Sequence, residues 1–267
     1  MDLDPYFARV GYTGARTASL ETLRALHNLH IRAIPFENLD VLLGRRVDMS
    51  DEAVFRKLVL DQRGGYCFEQ NTLFKTVLRE LGFKVEPFLG RVRRNVPDDV
   101  RTGLTHMVLR VTAEDRGWLC DVGFGSLGSP APLTFDEGIE QLTHLEPRRI
   151  LRENGILTHQ ARLGDDWVDL YKFTLEEPAP VDFELGNWYS CTHPDAHFKN
   201  NLVVALVAGS SRLAINNRDF IVRQLDGSAE KHEIQSRREL LEVLASRFRL
   251  DFPPDTRFAT AWLGWTD

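Results

Sequence analysis

The chain has 267 residues, enough to bury a substantial core in two or three domains. Its composition, 43% hydrophobic and 27% charged, is that of an ordinary globular protein. The formal net charge of -6 argues against a general nucleic-acid binder, which needs a basic surface.

The first eighty or so residues read as helical. Ser19 can cap a helix carrying Leu20, Leu23 and Leu26, with Glu21 in its first turn. Ser50 can cap a second, with Asp51 and Glu52 at its start and Val54, Phe55, Leu58 and Val59 as its apolar face. A third begins near Cys67, keeps an apolar rhythm through Phe74, Val77, Leu78 and Leu81, and stops at Gly82. Three short helices in succession suggest a small bundle.

After Gly82 the pattern turns to β-branched and aromatic residues. Strands are expected over 83–92, 104–111, 117–123, 149–161, 167–173 and 183–191, with Asn154-Gly155 as a hairpin turn. They imply a mostly antiparallel sheet or barrel. Strands at 202–208 and 219–225 follow. The last element is a helix opened by Ser236 and Glu239, a capping box, with Leu240, Leu241, Leu244 and Phe248 as its apolar face.

No targeting segment is visible. The acidic start Met1-Asp2-Leu3-Asp4 lacks the layout of a signal peptide, and the apolar run at 202–208 is too short to cross a bilayer. Cys67, Cys120 and Cys191 are too few, and odd in number, for a disulfide framework, so a reduced, cytoplasmic setting is expected.

The chemistry concentrates at Arg63-Gly64-Gly65-Tyr66-Cys67-Phe68-Glu69-Gln70-Asn71. Two glycines deliver Cys67 to the first turn of a helix, where the dipole and the unpaired backbone N–H groups favour a thiolate, the reactive form. A partner base is needed. His106 lies on an expected strand, on one face with Leu104 and Val108. The next strand ends in Asp121 among apolar residues. A hairpin centred on Ala113-Glu114 sets His106 directly opposite Asp121, the pairing that a carboxylate needs to hold an imidazole tautomer, whereas a loop centred on Asp115-Arg116-Gly117 would lose this alignment. The competing possibilities are a structural cysteine and a satisfied core histidine. The glycines flanking both motifs, Gly64, Gly65, Gly123 and Gly125, favour a triad.

Two other patterns carry little. Gly123, Gly125 and Gly128 match the spacing of a dinucleotide fingerprint, but Ser129-Pro130-Ala131-Pro132 follows where a helix should open. His193 and His197 have metal-ligand spacing without further ligands, so no metal is expected.

Four motifs in order resemble those of the arylamine N-acetyltransferases of prokaryotic type. They are Pro35-Phe36-Glu37-Asn38-Leu39, the 63–69 stretch, Thr105-His106, and Asp121-Val122-Gly123-Phe124-Gly125. The resemblance implies an α+β fold: a helical bundle (1–84) carrying the nucleophile, a central antiparallel β-barrel (85–190) carrying His and Asp, and a C-terminal α/β lid (191–267). Its core is similar to that of papain-like cysteine proteases and transglutaminases. It also implies a catalytic triad of Cys67, His106 and Asp121, acetyl-CoA as co-substrate, and an arylamine or arylhydrazine as acceptor. By the same resemblance Arg9 pairs with Glu37 as structural support. Thr102, Gly103 and Phe124 contact coenzyme A, and Phe36, Phe68 and Phe124 line the substrate pocket. His197-Phe198 lies near the coenzyme. Arg91, Arg93, Arg94 and Arg101 can supply local positive charge for a polyanionic ligand. A monomer or homodimer with no nucleic-acid or membrane partner is expected. A cysteine amidase or hydrolase, or an amide-forming acyltransferase, shares the same triad logic and stays open as the alternative. So does a non-catalytic binding protein.

Overall fold

The structure, a computed structural model, describes residues 1–265. Its N-terminal third is helical: α1 (Asp4–Val10), α2 (Leu20–Ala33), the two-residue strand β1 (Phe36–Glu37), α3 (Leu39–Leu42), α4 (Asp51–Phe55) and α5 (Cys67–Glu80). The caps fall where the hydroxyls predict them. Ser19 Oγ accepts from Thr22 N at 3.2 Å and Ser50 Oγ from Ala53 N at 3.4 Å. Leu23, Leu26, Val54, Leu58, Phe74, Val77 and Leu78 are the expected apolar faces, and they merge into one core. One feature escaped the periodicity: α4 runs into a π-helical turn, Arg56–Leu60, which redirects Lys57.

The middle third is a seven-stranded antiparallel sheet. Its strands are β2 (Lys84–Val92), β3 (His106–Ala113), β4 (Arg116–Cys120), β5 (Leu133–Thr134), β6 (Arg148–Glu153), β7 (Ile156–Leu163) and β8 (Asp166–Phe173), in the order β5-β4-β3-β2-β8-β7-β6. Val108, Leu119, Leu133, Ile150, Leu157 and Leu170 fill one face. The segment after β5 returns to bridge β6 at Glu137↔Ile150 and Gln141↔Arg148, so the sheet is nearly closed. The Gln141 amide completes the seam, accepting from Thr134 N at 2.7 Å and donating to Thr134 O at 2.9 Å. Asn154 (φ 49°) and Gly155 (φ 79°) form the expected β6–β7 turn.

The expectation of a strand at 183–191 is wrong. That segment lies within a helix, α6 (Pro180–Thr192). Pro180 opens it and Asp182 accepts from Ala179 N at 2.8 Å, both helix-start signals. Its pattern misleads because the polarity is inverted. Gly186, Asn187 and Ser190 are buried, while Val181, Leu185 and Trp188 are exposed.

A short helix α7 (His197–Asn200) leads into β9 (Val203–Ala208), β10 (Ser211–Asn216), β11 (Asp219–Arg223), β12 (Ala229–Glu233) and α8 (Arg237–Phe248). The second sheet runs β1-β9-β10-β11-β12, with Phe36 opposite Ala205. A strand from the helical third is therefore the edge of the C-terminal sheet. Ser236 Oγ accepts from Glu239 N at 3.2 Å, and Leu240, Leu244 and Phe248 pack on the sheet. Strands β10 and β12 are additional to the two that the sequence pattern predicts. No described helix is long and apolar enough to cross a membrane.

Candidate active site

Gly64 and Gly65 reach α5 because nothing larger fits. A Cβ at Gly64 would stand 2.1 Å from Pro35 O, and one at Gly65 would meet the Glu69 side chain at 2.7 Å. Gly65 O accepts from Glu37 N at 3.1 Å, laying the loop along β1. The first turn of α5 is then fixed through charge. Glu69 Oε2 accepts from Tyr66 N at 3.1 Å, and Glu69 Oε1 pairs with Lys57 Nζ at 2.7 Å. Lys57 also holds Asp40 at 2.8 Å, which Arg63 shares with Glu37. This network is largely buried, and breaking one member leaves the others uncompensated.

The expected Arg9–Glu37 pair does not form. Glu37 is held by Arg63 Nη2 at 2.7 Å, and Glu37 Oε2 accepts from Leu39 N at 2.6 Å. Arg9 donates instead to the carbonyls of Leu58 (3.3 Å) and Gln62 (3.1 Å), closing the end of the π-turn. The reason is local: Arg63 leads directly into the glycine turn that packs on Glu37, where a Gly64 Cβ would stand 2.8 Å from Glu37 Cγ.

Cys67 is the first residue of α5, almost fully buried, and its thiol donates to Thr105 O at 3.5 Å. The next residue is His106, whose Nε2 donates to Asp121 Oδ2 at 2.8 Å. That leaves Nδ1 as the other ring nitrogen for the thiol. The route to this geometry differs from the expected register. The hairpin turns on Glu114 (φ 51°) and Asp115 (φ 57°), so Ala113 faces Arg116 and the ladder is two residues displaced from the one expected. An even slip keeps the same face, so Asp121, just past the end of β4, meets His106 diagonally rather than directly.

The pair is electrostatically committed. Burial opposes the imidazolium, but the Asp121 charge and hydrogen bond outweigh it, with Cys67 adding to the effect, and the His106 pKa is raised. Burial likewise opposes the Asp121 carboxylate, and His106, Asn71 and the Gly123 amide overturn that, so its pKa is lowered.

Asn71 also belongs to the site, and its i+4 spacing from Cys67, which places it on the same helix face, is the signal in the sequence. Its Nδ2 donates to Asp121 Oδ1 (3.0 Å) and Met107 O (2.8 Å), and its Oδ1 accepts from Val122 N (3.1 Å). Gly123 N also donates to Asp121 Oδ1 at 3.0 Å. A Cβ on Gly123 would sit 2.8 Å from both Cys67 Cα and Asn71 Nδ2, so this glycine is a close-approach residue.

The aromatic residues divide. The Phe124 ring meets His106 edge-on at 5.1 Å and Tyr171 at 5.3 Å, with Tyr171 itself 4.7 Å from His106. Phe36 packs against Gly125 across a small cavity that also touches Ser126 and Val122. Phe68 is fully buried against Tyr66 and Gly186. Thr102 Oγ1 donates to Val92 O at 2.8 Å, and Gly103 stands beside Thr105. Arg93 donates to Pro97 O at 2.7 Å and Arg91 to Thr102 O, so these two arginines shape the 93–102 loop. Arg94 is depressed by burial and then by Arg223, and Arg91 by burial and then by Arg101, a local excess of positive charge. His197 is hydrogen-bonded to Asn201, and the described residues contain no group of three or more candidate metal ligands.

A buried cysteine at a helix start, close to a histidine–carboxylate pair on the sheet that its helix packs against, suits a class of thiol-based chemistry rather than one enzyme. Comparison narrows it. A family model described as N-acetyltransferase matches residues 19–256. The arylamine N-acetyltransferase of Mycolicibacterium smegmatis is 41% identical over 255 residues, 94% of this chain and 92% of that one. The Escherichia coli arylamine N-acetyltransferase is 36% identical over 249 residues, covering 93% and 88%. The solved structure of Mycobacterium marinum arylamine N-acetyltransferase in complex with CoA superposes with a TM-score of 0.90 at 39% identity, covering 93% and 92%. The chain belongs to the arylamine N-acetyltransferase family and is an acyltransferase.

Proposed function

We propose that the protein transfers an acetyl group from acetyl-CoA to an aromatic amine or hydrazine through acetyl-Cys67, with Cys67, His106 and Asp121 as the triad. The observation that carries this reading is the His106–Asp121 bond at 2.8 Å beside a cysteine at the first position of α5. Asp121 orients the ring and favours the imidazolium, and the imidazolium stabilises a thiolate. Cys67 Sγ attacks the thioester carbonyl. The tetrahedral oxyanion faces the unpaired Cys67 N–H at the helix start. The carbon–sulfur bond to coenzyme A breaks, and His106 gives its proton to the departing thiolate. The amine nitrogen then attacks the acetyl carbon, His106 removes its proton, and Cys67 leaves as thiolate.

The residues fit these substrates. The Arg91–Arg101 and Arg94–Arg223 cations offer charge for the coenzyme phosphates near Thr102 and Gly103. Phe124 and Phe36 offer aromatic walls for a flat acceptor, whereas Phe68 is spent in the core against Tyr66 and Gly186. Incubation with acetyl-CoA alone should add one acetyl group by intact mass, and Cys67→Ser should abolish it. No adduct, or an adduct on the serine variant, refutes the scheme. The same labelling separates this reading from a hydrolase that ignores acetyl-CoA.

A further inference from the structure

The loop that follows Asp121 carries Phe124 at one end and is clamped at the other. Arg148, on β6 and fully buried, donates Nη1 to Leu127 O at 2.9 Å and Nη2 to Gly128 O at 3.2 Å. Arg212, on β10 and 4% exposed, donates Nη2 to the same Gly128 carbonyl at 2.9 Å. Glu146 ties the two together. It takes Arg212 in a fork, Nε to Oε1 at 2.7 Å and Nη2 to Oε2 at 2.7 Å, and takes Arg148 Nη2 at 3.1 Å. Two buried cations share one carboxylate and two peptide carbonyls. Such a group is a poor stability device, since apolar replacements are often as stable, but its directional bonds fix position.

What it fixes is a wall of the proposed acceptor slot. Gly128 N donates to Gly125 O at 2.9 Å, so the clamped end dictates the turn that presents Phe124 to His106. Phe36, which packs on Gly125 of the same loop, is paired through β1 with Ala205 of β9, and β9 pairs with β10 through Val207↔Arg212. The C-terminal sheet therefore holds Phe36 by its ladder and Gly128 by Arg212. Arg212 also lines the small cavity between Phe36 and Gly125.

We propose that Arg212 is a specificity-determining positioning residue. By anchoring Gly128 O to the sheet that carries Phe36, it sets the gap between Phe36 and Phe124, and so the bulk of aromatic amine that acetyl-Cys67 can serve. This rests on the acetyl-transfer reading above.

The test separates the two half-reactions in Arg212→Lys and Arg212→Met. Acetylation of Cys67 is followed as coenzyme A thiol released without acceptor, and serves as internal reference. Transfer is then measured with aniline and para-substituted anilines of increasing bulk. The expected result is a change of about tenfold or more in the ratio of kcat/KM between bulky and small acceptors, carried mainly by KM, with acetylation of Cys67 close to that of the parent. Arg212→Lys, which keeps the charge beside Glu146 but loses the fork, is read if Arg212→Met does not fold. Glu146→Gln provides an independent second perturbation, expected to move the ratio in the same direction. An unchanged acceptor ratio in a folded variant overturns the proposal, as does equal slowing of both half-reactions. Absence of acetyl-Cys67 in the parent protein is a different result, and it refutes the reading of the function instead.

Discussion

Replacing Asp121 by asparagine isolates what the carboxylate charge does. Two of the three hydrogen bonds at this side chain, from Asn71 Nδ2 and Gly123 N, fall on Oδ1 at 3.0 Å each. An amide oxygen can keep both. The third comes from His106 Nε2 to Oδ2 at 2.8 Å, and there the variant presents an NH2 group. His106 must then accept at Nε2, which moves its proton to Nδ1, the nitrogen that should receive protons from the reacting groups. Burial, no longer opposed by the Asp121 charge, also pulls the imidazole pKa down. One charge-assisted bond is lost, about 1.5–3 kcal/mol, so the melting temperature should fall by roughly 5 °C and the fold should persist. The equivalent change in a serine triad costs about 10⁴ in kcat, and a loss of that order in Cys67 acetylation is expected. Alkylation by iodoacetamide from about pH 5 to 9 is the direct assay. The parent should react below neutrality, and Asp121→Asn should lose that acidic reactivity. A variant that acetylates within a few-fold of the parent rate, or keeps the acidic alkylation limb, would refute the charge-and-tautomer role.

Three further outcomes are expected. Asn71→Ala strands Met107 O and Val122 N and removes a donor from Asp121, so it should cost about 2–4 kcal/mol by chemical denaturation as well as activity. Gly123→Ala forces a Cβ to 2.8 Å from Cys67 Cα, which is backbone and can yield only by moving the first turn of α5, so kcat should drop by about 10²-fold while circular dichroism is retained. Acid should weaken the fold in two stages. His27 and His30, held neutral by burial with pKa values of about 3 and about 4, begin to favour the unfolded chain as the pH falls below ~6.5, where free imidazole takes a proton. Glu146, lowered to about 2 because Arg212 and Arg148 outweigh burial, adds to the loss between about pH 4.3 and its folded value. Glu146→Gln should flatten the second stage alone, by about 3 kcal/mol at most, and thermal melts across that range would show it.

The family was legible because its marks are written in short contiguous motifs. Gly64-Gly65-Cys67 and the hydroxyl caps Ser19, Ser50 and Ser236 act on neighbours a few residues away, so the residues and their effect are read together. What failed depended on partners distant in sequence. Arg9 and Arg63 are both arginines within plausible reach of Glu37, and the tertiary path of the glycine turn chose between them. The hairpin turn used two non-glycine residues at positive φ, Glu114 and Asp115, which no turn signal marks. In α6 the buried face is made of Gly186, Asn187 and Ser190, so apolar periodicity pointed outward. Glu146 and Arg148 lie two residues apart, but their partner Arg212 is sixty-six residues from Glu146, and each alone reads as a surface charge.

The pairing of β1 with β9 has a consequence for synthesis. Phe36 finds Ala205 and Glu37 finds Val204 only after some 170 further residues have been made. Until then the growing chain holds Cys67 beside a strand whose outer edge is bare, and Phe36 has one strand partner, its bridge to Gly65. Completion of the second sheet is a late event with high loop-closure cost, so a nascent chain can fold its bundle and barrel before Phe36 is fixed by β9. Thiol protection in ribosome-stalled chains of increasing length would rise in two steps, the second near the emergence of β10.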